Sequence, residues 1–253
     1  MSFTTPVKQK KKTLGVAVSA KQVPDVHYAL DKLANELLQR GTSGVDTEKI
    51  ELPWDKTRVA YKIRNVFTEG DCRFLIEATE RTGLYEPALL STWEGQKLRP
   101  EYRNSQRVMI DHIALSKALF KRIYVNCETL RSDMRLKWSD RHSVPRELNE
   151  RLRFLKYENG QYFKKHYDGS YIRELGHPNE GDQSYFTVLI YLNNDYSGFT
   201  RLFSDDSKQH YDVVPETGMV FVHEHTILHE GSEVQGTKYA IRTDVMCHEP
   251  NTD

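Results

Sequence analysis

The stretch TKYAIRTDVM, residues 237–246, alternates strictly between two kinds of side chain. Because side chains two positions apart in a β-strand point to the same face, the run predicts a strand with two unlike faces. The mostly apolar face carries Tyr239, Ile241, Thr243 and Val245. The charged face carries Lys238, Ala240, Arg242 and Asp244. We expect the apolar face to be buried under helices and the charged face to line the inside of a barrel.

Two cations inside a barrel need a partner, since a buried unpaired charge is costly. One interpretation is an internal ion pair of Lys238 or Arg242 with Asp244 or a nearby glutamate. The other is a dicarboxylate co-substrate held by its far end, through a charge-assisted hydrogen bond of about 1.5–3 kcal/mol. Other parts of the sequence are needed to distinguish these two interpretations.

The last hundred residues consist of short segments rich in β-branched and aromatic residues, separated by glycine, asparagine and aspartate. These segments are RLRFLKY, SYFTVLIYLN, TRLF and DVVPETGMVFVH, followed by the strand already described. Such a pattern is typical of strands joined by turns. The simplest fold class is therefore α+β, with a β-sandwich or barrel and helices packed against one of its sheets.

Helical patterns dominate the first 145 residues or so. The periodicity of residues 24–41 predicts an amphipathic helix that ends at Gly41. Thr68 followed by Asp71 resembles a capping box, so a second helix should run from there to about Thr82. A third is expected over the run DHIALSKALFKRIYVNCETL, with Asp111 near its start, whereas RVAYKIRNVF alternates like a strand.

We therefore expect three regions in the chain of 253 residues. Residues 1–23 form a disordered tail, residues 24–149 a mainly helical support region, and residues 150–249 the barrel. The support region and the barrel should make one compact unit. No internal repeat is visible.

Composition argues against several classes of protein. Lys and Arg number 36 and Asp and Glu also number 36, so no global charge favours nucleic acid or an anionic membrane. No run approaches the roughly 18 apolar residues of a membrane span. Three distant cysteines, an odd number, indicate a reducing, cytoplasmic compartment. The lysines of residues 8–12 are either a solvated tail or a nuclear address.

The stretch FKKHYDG, residues 163–169, separates His166 from Asp168 by one residue. On a strand, both side chains would face one space, as the ligands of a metal do. Non-haem Fe(II) oxygenases bind the metal with two histidines and one carboxylate and leave positions open. The candidates for the third ligand are His210, His223, His225, His229 and His248. We favour His229, keep His223 and His225 in reserve, and retain a polar turn without metal as the alternative.

Residues 151–246 resemble the catalytic domain of the 2-oxoglutarate- and Fe(II)-dependent dioxygenases, in the prolyl 4-hydroxylase-like branch. The motifs that carry the resemblance are YENGQYFKKHYDG, TVLIYLNNDYSGFTRLF and VVPETGMVFVHEHTILHEGSEVQGTKYAIRTDVM. The resemblance implies a double-stranded β-helix, or jelly-roll barrel. Phe199, where a second glycine is common, and a long insertion at residues 170–183 depart from the family pattern. We interpret the insertion as a lid or hairpin facing the substrate.

The resemblance also implies roles for individual residues. His166, Asp168 and His229 would bind Fe(II). Lys238, nine residues after His229, would pair with the distal carboxylate of 2-oxoglutarate. The remaining candidates near the co-substrate are Tyr191, Tyr157 and, less directly, Arg242, which would otherwise meet the substrate or a ligand carboxylate. At the pocket mouth, Arg103, Asn104 and Arg107 either grip the substrate or belong to a solvated loop.

The implied activity is hydroxylation of an unactivated C–H bond with release of succinate and CO₂. It uses Fe(II), 2-oxoglutarate and O₂, with ascorbate as the reductant common in the family. A peptidyl proline is the first candidate substrate, and other peptidyl side chains or a small molecule are alternatives. A catalytically silent metal-binding jelly roll and a cupin-like enzyme without 2-oxoglutarate are the competing classes. No nucleic-acid or membrane partner is expected, and the sequence leaves the oligomeric state open.

Overall fold

The computed structural model describes residues 24–41, 43–125, 127–136, 144–194 and 197–248. The tail expected at residues 1–23, with its lysine cluster, lies outside these residues. The helices are α1 (Pro24–Arg40), α2 (Glu69–Glu80), α3 (Ile113–Tyr124) and α4 (Glu128–Leu136). None of these helices combines the length and the apolar composition that crossing a membrane requires.

Fifteen strands lie in the same described residues. The first seven are β1 (Asp46–Lys49), β2 (Ala60–Arg64), β3 (Glu86–Pro87), β4 (Leu90–Thr92), β5 (Gly95–Lys97), β6 (Gln106–Asp111) and β7 (Val144–Leu148). The other eight are β8 (Arg151–Tyr157), β9 (Phe163–His166), β10 (Gln183–Tyr191), β11 (Thr200–Phe203), β12 (His210–Val213), β13 (Val220–Glu224), β14 (His229–Gly231) and β15 (Lys238–His248).

The strands form a major sheet, a minor sheet and a hairpin. The nine-stranded major sheet has the order β1-β2-β13-β10-β15-β8-β6-β3, with β7 also paired to β15. The four-stranded minor sheet has the order β12-β11-β14-β9, and β4 and β5 form the hairpin. Apolar side chains of both sheets, such as Tyr191 and Phe221 of the major sheet and Leu202 of the minor one, share one buried cluster. The two facing antiparallel sheets make the jelly-roll barrel expected from the sequence.

The last strand, β15, divides its side chains between two environments, as its alternation predicts. Ile241 and Val245 are buried in a cluster that also contains residues of α1, α2 and α3. Lys238, Arg242 and Asp244 occupy the opposite face, with Lys238 and Asp244 buried. The helices therefore cover the outer face of the major sheet, and the charged side chains line the space between the two sheets.

The capping box predicted at the start of α2 is present. The Thr68 hydroxyl accepts a hydrogen bond from the Asp71 backbone N–H at 3.1 Å, and the Asp71 carboxylate accepts one from the Thr68 N–H at 2.8 Å. The Asp71 carboxylate also pairs with Arg40 at the end of α1. This one side chain thus begins α2 and fastens it to α1.

Two expectations for the first half of the chain need correction. The single helix expected from Asp111 is the end of strand β6 followed by two helices, α3 and α4. The Cys127 sulfur accepts a hydrogen bond from the Leu130 N–H at 3.3 Å, which acts as a new helix cap and starts α4. Residues 24–149 are also less helical than expected, because they contribute β1–β7 as well, with β2 and β6 inside the major sheet.

Candidate metal centre

Three candidate ligands converge between the two sheets. His166 ends β9, Asp168 follows two residues later, and His229 begins β14, opposite His166 in the antiparallel register. One donor atom from each residue lies within 4.8 Å of the other two. The Asp168 carboxylate oxygens lie 3.8 Å from His166 Nε2 and 3.6 Å from His229 Nε2. No other described group of His, Cys, Asp and Glu side chains reaches this arrangement.

Both histidines present the same ring nitrogen to the shared space. His166 Nδ1 lies 2.7 Å from the Lys164 carbonyl oxygen, and His229 Nδ1 lies 2.9 Å from the Ile227 carbonyl oxygen. A carbonyl accepts only, so each Nδ1 carries the proton and each Nε2 is left with its lone pair. The set of two imidazole nitrogens and one carboxylate is the donor set of non-haem Fe(II) sites, so these residues fit that metal.

The electrostatics of the centre favour the protonation states that metal binding needs. Burial, followed by repulsion from His229, lowers the pKa of His166 well below its ordinary value and keeps the ring neutral. Burial would raise the pKa of Asp168, but Arg242 and the neighbouring histidines hold it well below its ordinary value. A neutral imidazole and an ionised carboxylate are the ligating forms.

Asp168 is oriented by two neighbours. Arg242 Nη2 lies 3.0 Å from Asp168 Oδ1, and the Thr187 hydroxyl donates to Oδ2 at 2.5 Å. Arg242 also pairs with Asp244 at 3.1 Å, and Asp244 pairs with Arg153 at 3.2 Å. The internal ion pair that the sequence left open therefore exists, and it belongs to Arg242. The sequence also allowed Arg242 to pair with the carboxylate of a metal ligand. Arg242 makes this contact with Asp168.

Lys238 lies on the same face of β15 as Arg242, but its surroundings differ from those of Arg242. Its ammonium donates to the Gly198 carbonyl and lies 5.2 Å from the Tyr191 ring centre and 5.8 Å from that of Tyr157. A Cβ at Gly198 would lie 2.9 Å from Lys238 Cδ, so this glycine permits a close approach of the loop. The co-substrate candidates Lys238, Tyr191 and Tyr157 thus form one cluster.

The other histidines have separate positions. His223 is buried behind the centre, with Nε2 4.0 Å from an Asp168 oxygen and its ring 4.6 Å from that of His229. His225 is buried 3.5 Å from Asp244. His210 is exposed on β12, and His248 pairs with Asp182. Neither reserve candidate, His223 nor His225, joins the group of three ligand atoms.

The substrate candidates separate into two kinds. Arg103 is buried over the ring of Phe163, at 4.5 Å, and that ring stacks on His166 with centres 3.6 Å apart. Arg107 is buried on β6. The Asn104 side chain, in contrast, accepts from the Tyr162 backbone N–H at 2.7 Å and so holds the loop together.

The insertion at residues 170–183 is fastened to the body of the protein. Arg173 is buried and pairs with Glu147 at 2.9 Å and with Glu150 at 2.8 Å. Ile172 forms a β-bridge with Gln183 across the base of the insertion. The hairpin part of the expectation fits this geometry, and the buried ion pairs argue against a freely moving lid.

Sequence reasoning missed several neighbours of the centre. Thr187, Arg153 and Phe163 touch Asp168, Asp244 and His166, respectively. Alternation along β10 and β8 places Thr187 and Arg153 on the site-facing side of the sheet, opposite Asp244 and Arg242. The strand register supplies that information, and the sequence of one strand alone does not.

Residues 152–243 match the family described as the 2OG-Fe(II) oxygenase superfamily. The match lies within the barrel region of the chain, which is therefore similar to that superfamily. The match includes the three converging side chains and Lys238. The family takes its name from Fe(II) and 2-oxoglutarate, and the donor set described above suits that metal.

Two curated relatives, both from Arabidopsis thaliana, are similar to the chain over more than the barrel. "Probable prolyl 4-hydroxylase 10" is 27% identical over 191 residues, which is 74% of this chain and 59% of the relative. "Prolyl 4-hydroxylase 1" is 26% identical over 140 residues, which is 54% of this chain and 43% of the relative. The chain thus spans less than two thirds of the length of either relative.

A solved structure shows the same fold. It is a prolyl hydroxylase in complex with a peptide fragment of the hypoxia inducible factor oxygen degradation domain, from Trichoplax adhaerens. It is 15% identical, with a TM-score of 0.51, and the alignment covers 87% of this chain and 91% of that one.

Proposed function

We propose that this protein is an Fe(II)- and 2-oxoglutarate-dependent dioxygenase that hydroxylates an unactivated C–H bond of its substrate and releases succinate and CO₂. The observation that carries the proposal is the convergence of the His166, Asp168 and His229 donor atoms within 4.8 Å. The cluster of Lys238, Tyr191 and Tyr157 gives the proposal further support. A silent metal-binding module has no need of that second cluster.

In this proposal His166, Asp168 and His229 hold Fe(II). When bound, the metal supplies the oxidative chemistry, with O₂ and 2-oxoglutarate as co-substrates. The protein supplies the geometry. The carbonyl groups that accept from the two Nδ1–H groups fix the rings, and Thr187 and Arg242 fix the carboxylate. A site preorganised in this way binds the metal with little rearrangement.

Lys238 is the proposed anchor for the distal carboxylate of 2-oxoglutarate. Its ammonium is buried between two tyrosine rings and donates to a backbone carbonyl, so a carboxylate that binds here would meet a buried positive charge. Tyr191 and Tyr157 lie beside it to contact the same carboxylate. Arg242 is committed to Asp168 and Asp244 and is proposed as a positioning residue for the metal ligand.

A peptidyl proline is the first candidate for the hydroxylated group. The support is the similarity to two relatives named prolyl 4-hydroxylases. The described geometry does not favour proline over another C–H donor, and a small-molecule substrate is the second candidate. Ascorbate is the proposed reductant.

The test is incubation of the protein with Fe(II), 2-oxoglutarate and libraries of peptides and metabolites. Mass spectrometry should find a gain of one oxygen atom in at least one compound, and succinate should form in proportion. The matched control is the Asp168→Ala variant, which lacks one of the three ligands. Succinate formation by the wild-type protein that does not depend on added Fe(II), or that survives in the variant, would contradict the proposal.

A further inference from the structure

Several arginines in the interior of the described structure have partners that match their charge or fill their donors. Arg153 pairs with Asp244, and Arg173 pairs with Glu147 and Glu150. Arg122 lacks a carboxylate but donates to three backbone carbonyl oxygens. These arginines show how the protein normally offsets the cost of burying a guanidinium.

Arg103 and Arg107 do not follow this rule. Their residues are only 9% and 4% exposed. Arg103 donates to the hydroxyl of Ser105 at 3.1 Å and also interacts with the hydroxyl of Tyr157, and Arg107 donates to the amide oxygen of Gln96 at 2.8 Å. No carboxylate among the described residues pairs with either one, and the Arg107 Nε is buried without any acceptor.

Both arginines belong to the same space as the metal centre. Arg103 lies over the Phe163 ring, which stacks on the metal-ligand candidate His166. Arg107 is the register partner of Leu155 on β8, which in turn pairs with Ala240 on β15, so the three side chains face the same interior. Burial, followed by the charge of Arg103, lowers the pKa of Arg107 to about 10, so this side chain keeps its charge at neutral pH. Burial also lowers the pKa of Arg103, but a guanidinium group stays protonated in proteins.

The groups already proposed for the site do not supply the missing negative charge. Fe(II) together with Lys238 balances Asp168 together with the dianionic co-substrate. Asp244 is shared between Arg242 and Arg153, two cations for one carboxylate. Asp168 attracts Arg103 and Glu86 attracts Arg107, but neither carboxylate forms an ion pair with them. Arg103 and Arg107 therefore add two further positive charges without a paired anion, and the substrate is the one component of the reaction not yet placed.

We propose that Arg103 and Arg107 bind a carboxylate of the substrate, so that the preferred substrate is acidic. The inference rests on the proposed function, since it concerns the substrate of that reaction. The planar guanidinium groups suit a carboxylate, which each can hold through two parallel N–H···O bonds. The neutral oxygens of Ser105 and Gln96 hold the arginines in place without neutralising them. The carboxylate belongs either to an aspartate or glutamate near a target proline, or to a small molecule.

The test compares probes that differ only in charge. One arm uses peptides with a single proline and one aspartate placed at each nearby position in turn, each matched by the asparagine peptide. The other arm uses free L-proline against L-prolinamide, so that a small molecule supplies the carboxylate. Isothermal titration calorimetry of the protein loaded with Mn(II) and 2-oxoglutarate measures each dissociation constant without turnover.

For the wild-type protein we expect the acidic probe of one arm to bind about 10- to 100-fold more tightly than its amide partner. In Arg103→Gln and Arg107→Gln this ratio should fall close to one, and Arg103→Lys should recover part of it. Structural damage lowers the affinity for both probes together, so it leaves the ratio unchanged. The matched control is Arg151→Gln, since Arg151 has its own carboxylate partner, Asp111.

Two results would overturn the inference. One is an equal affinity for acidic and amide probes in both arms. The other is a ratio that survives both glutamine variants while the dissociation constant of 2-oxoglutarate rises, which would assign the arginines to the co-substrate. Fe(II)-dependent succinate formation by the wild-type protein is measured in parallel. If succinate forms without charge preference, only this inference fails. If charge preference exists without succinate, the anion site stands and the proposed function fails.

Discussion

The two faces of strand β15 illustrate how one short sequence serves two purposes. On the helix side, Ile241 and Val245 are packed into the largest apolar cluster. On the barrel side, Lys238, Arg242 and Asp244 carry charge in a comparably buried space. The apolar face contributes stability by burial. The charged face works against stability unless each charge finds a partner, so its charges are better explained by a role in binding.

This contrast separates variants into two groups. Changes on the barrel side should alter metal, co-substrate or substrate binding and have little effect on the free energy of unfolding. Changes on the helix side should lower the free energy of unfolding and have little effect on the binding of metal, co-substrate or substrate. A variant that moved both quantities equally would break the separation.

The largest effect is expected for Asp168→Ala on the barrel side. Loss of a metal ligand should lower the rate of succinate formation by more than about 100-fold, because even loss of an outer partner of a metal site costs about 10- to 100-fold. The rate is measured at saturating 2-oxoglutarate with added Fe(II). His210→Ala, which changes an exposed histidine on the minor sheet, should keep the wild-type rate. Near-normal turnover by Asp168→Ala would show that the centre lies elsewhere.

Ile241→Ala tests the helix side of the same strand. The side chain is 0% exposed, so its truncation should lower the free energy of unfolding by about 2–5 kcal/mol. Urea denaturation measures this change, and the KM for 2-oxoglutarate of the folded fraction should stay the same. Leu175→Ala is the control, since Leu175 is 90% exposed and its loss should change stability by less than about 0.5 kcal/mol. A raised KM in Ile241→Ala would argue against the independence of the two faces.

Lys238→Ala returns to the barrel side with a smaller expected effect. Removal of one charge-assisted hydrogen bond should raise the apparent KM for 2-oxoglutarate by about 10- to 100-fold. Lys238→Arg should keep part of the affinity, because the charge remains. Arg242→Gln should raise the KM less and lower the affinity for the metal more, since Arg242 contacts Asp168. The opposite order would move the co-substrate anchor to Arg242.

The smallest effect, and one that depends on pH, is expected for Asp71→Asn on the helix side. Burial would raise the pKa of Asp71, but the hydrogen bonds from Arg40 and Thr68 lower it overall. A lowered folded-state pKa contributes stability above the unfolded value of about 4, and the contribution disappears as pH falls through the folded pKa. The variant should lose about 1–2 kcal/mol at pH 7 and approach the wild-type protein in acid. A constant difference from pH 7 down to pH 3 would contradict this origin.

The sequence predicts the local parts of this structure better than their arrangement. Alternation identifies both faces of β15, and the Thr68–Asp71 pair identifies the start of α2, because both signals lie within a few residues. The order of the major sheet does not follow from such signals. The pairing of Ile63 with Val220 joins residues far apart in the chain, and only the packing of the whole barrel selects it.

The same distinction applies to the centre. The spacing of His166 and Asp168 and the family resemblance indicate the ligand group. The contact between Arg242 and Asp168 depends on how β15 and the loop after β9 approach each other across the barrel, so no local pattern encodes it. The break between α3 and α4 was missed for a related reason, since the Cys127 sulfur acts as a helix cap, a role cysteine seldom fills.

We propose that His166, Asp168 and His229, together with Lys238, bind Fe(II) and 2-oxoglutarate at the same time. An anaerobic titration tests it most directly, because chelation of Fe(II) by 2-oxoglutarate produces a charge-transfer absorption band in the visible range. The band should appear at one Fe(II) per chain when both components are present, be lost in Asp168→Ala, and require more 2-oxoglutarate in Lys238→Ala. Absence of the band in the wild-type protein, or an unchanged band in Asp168→Ala, would show that these residues do not hold Fe(II) and 2-oxoglutarate together.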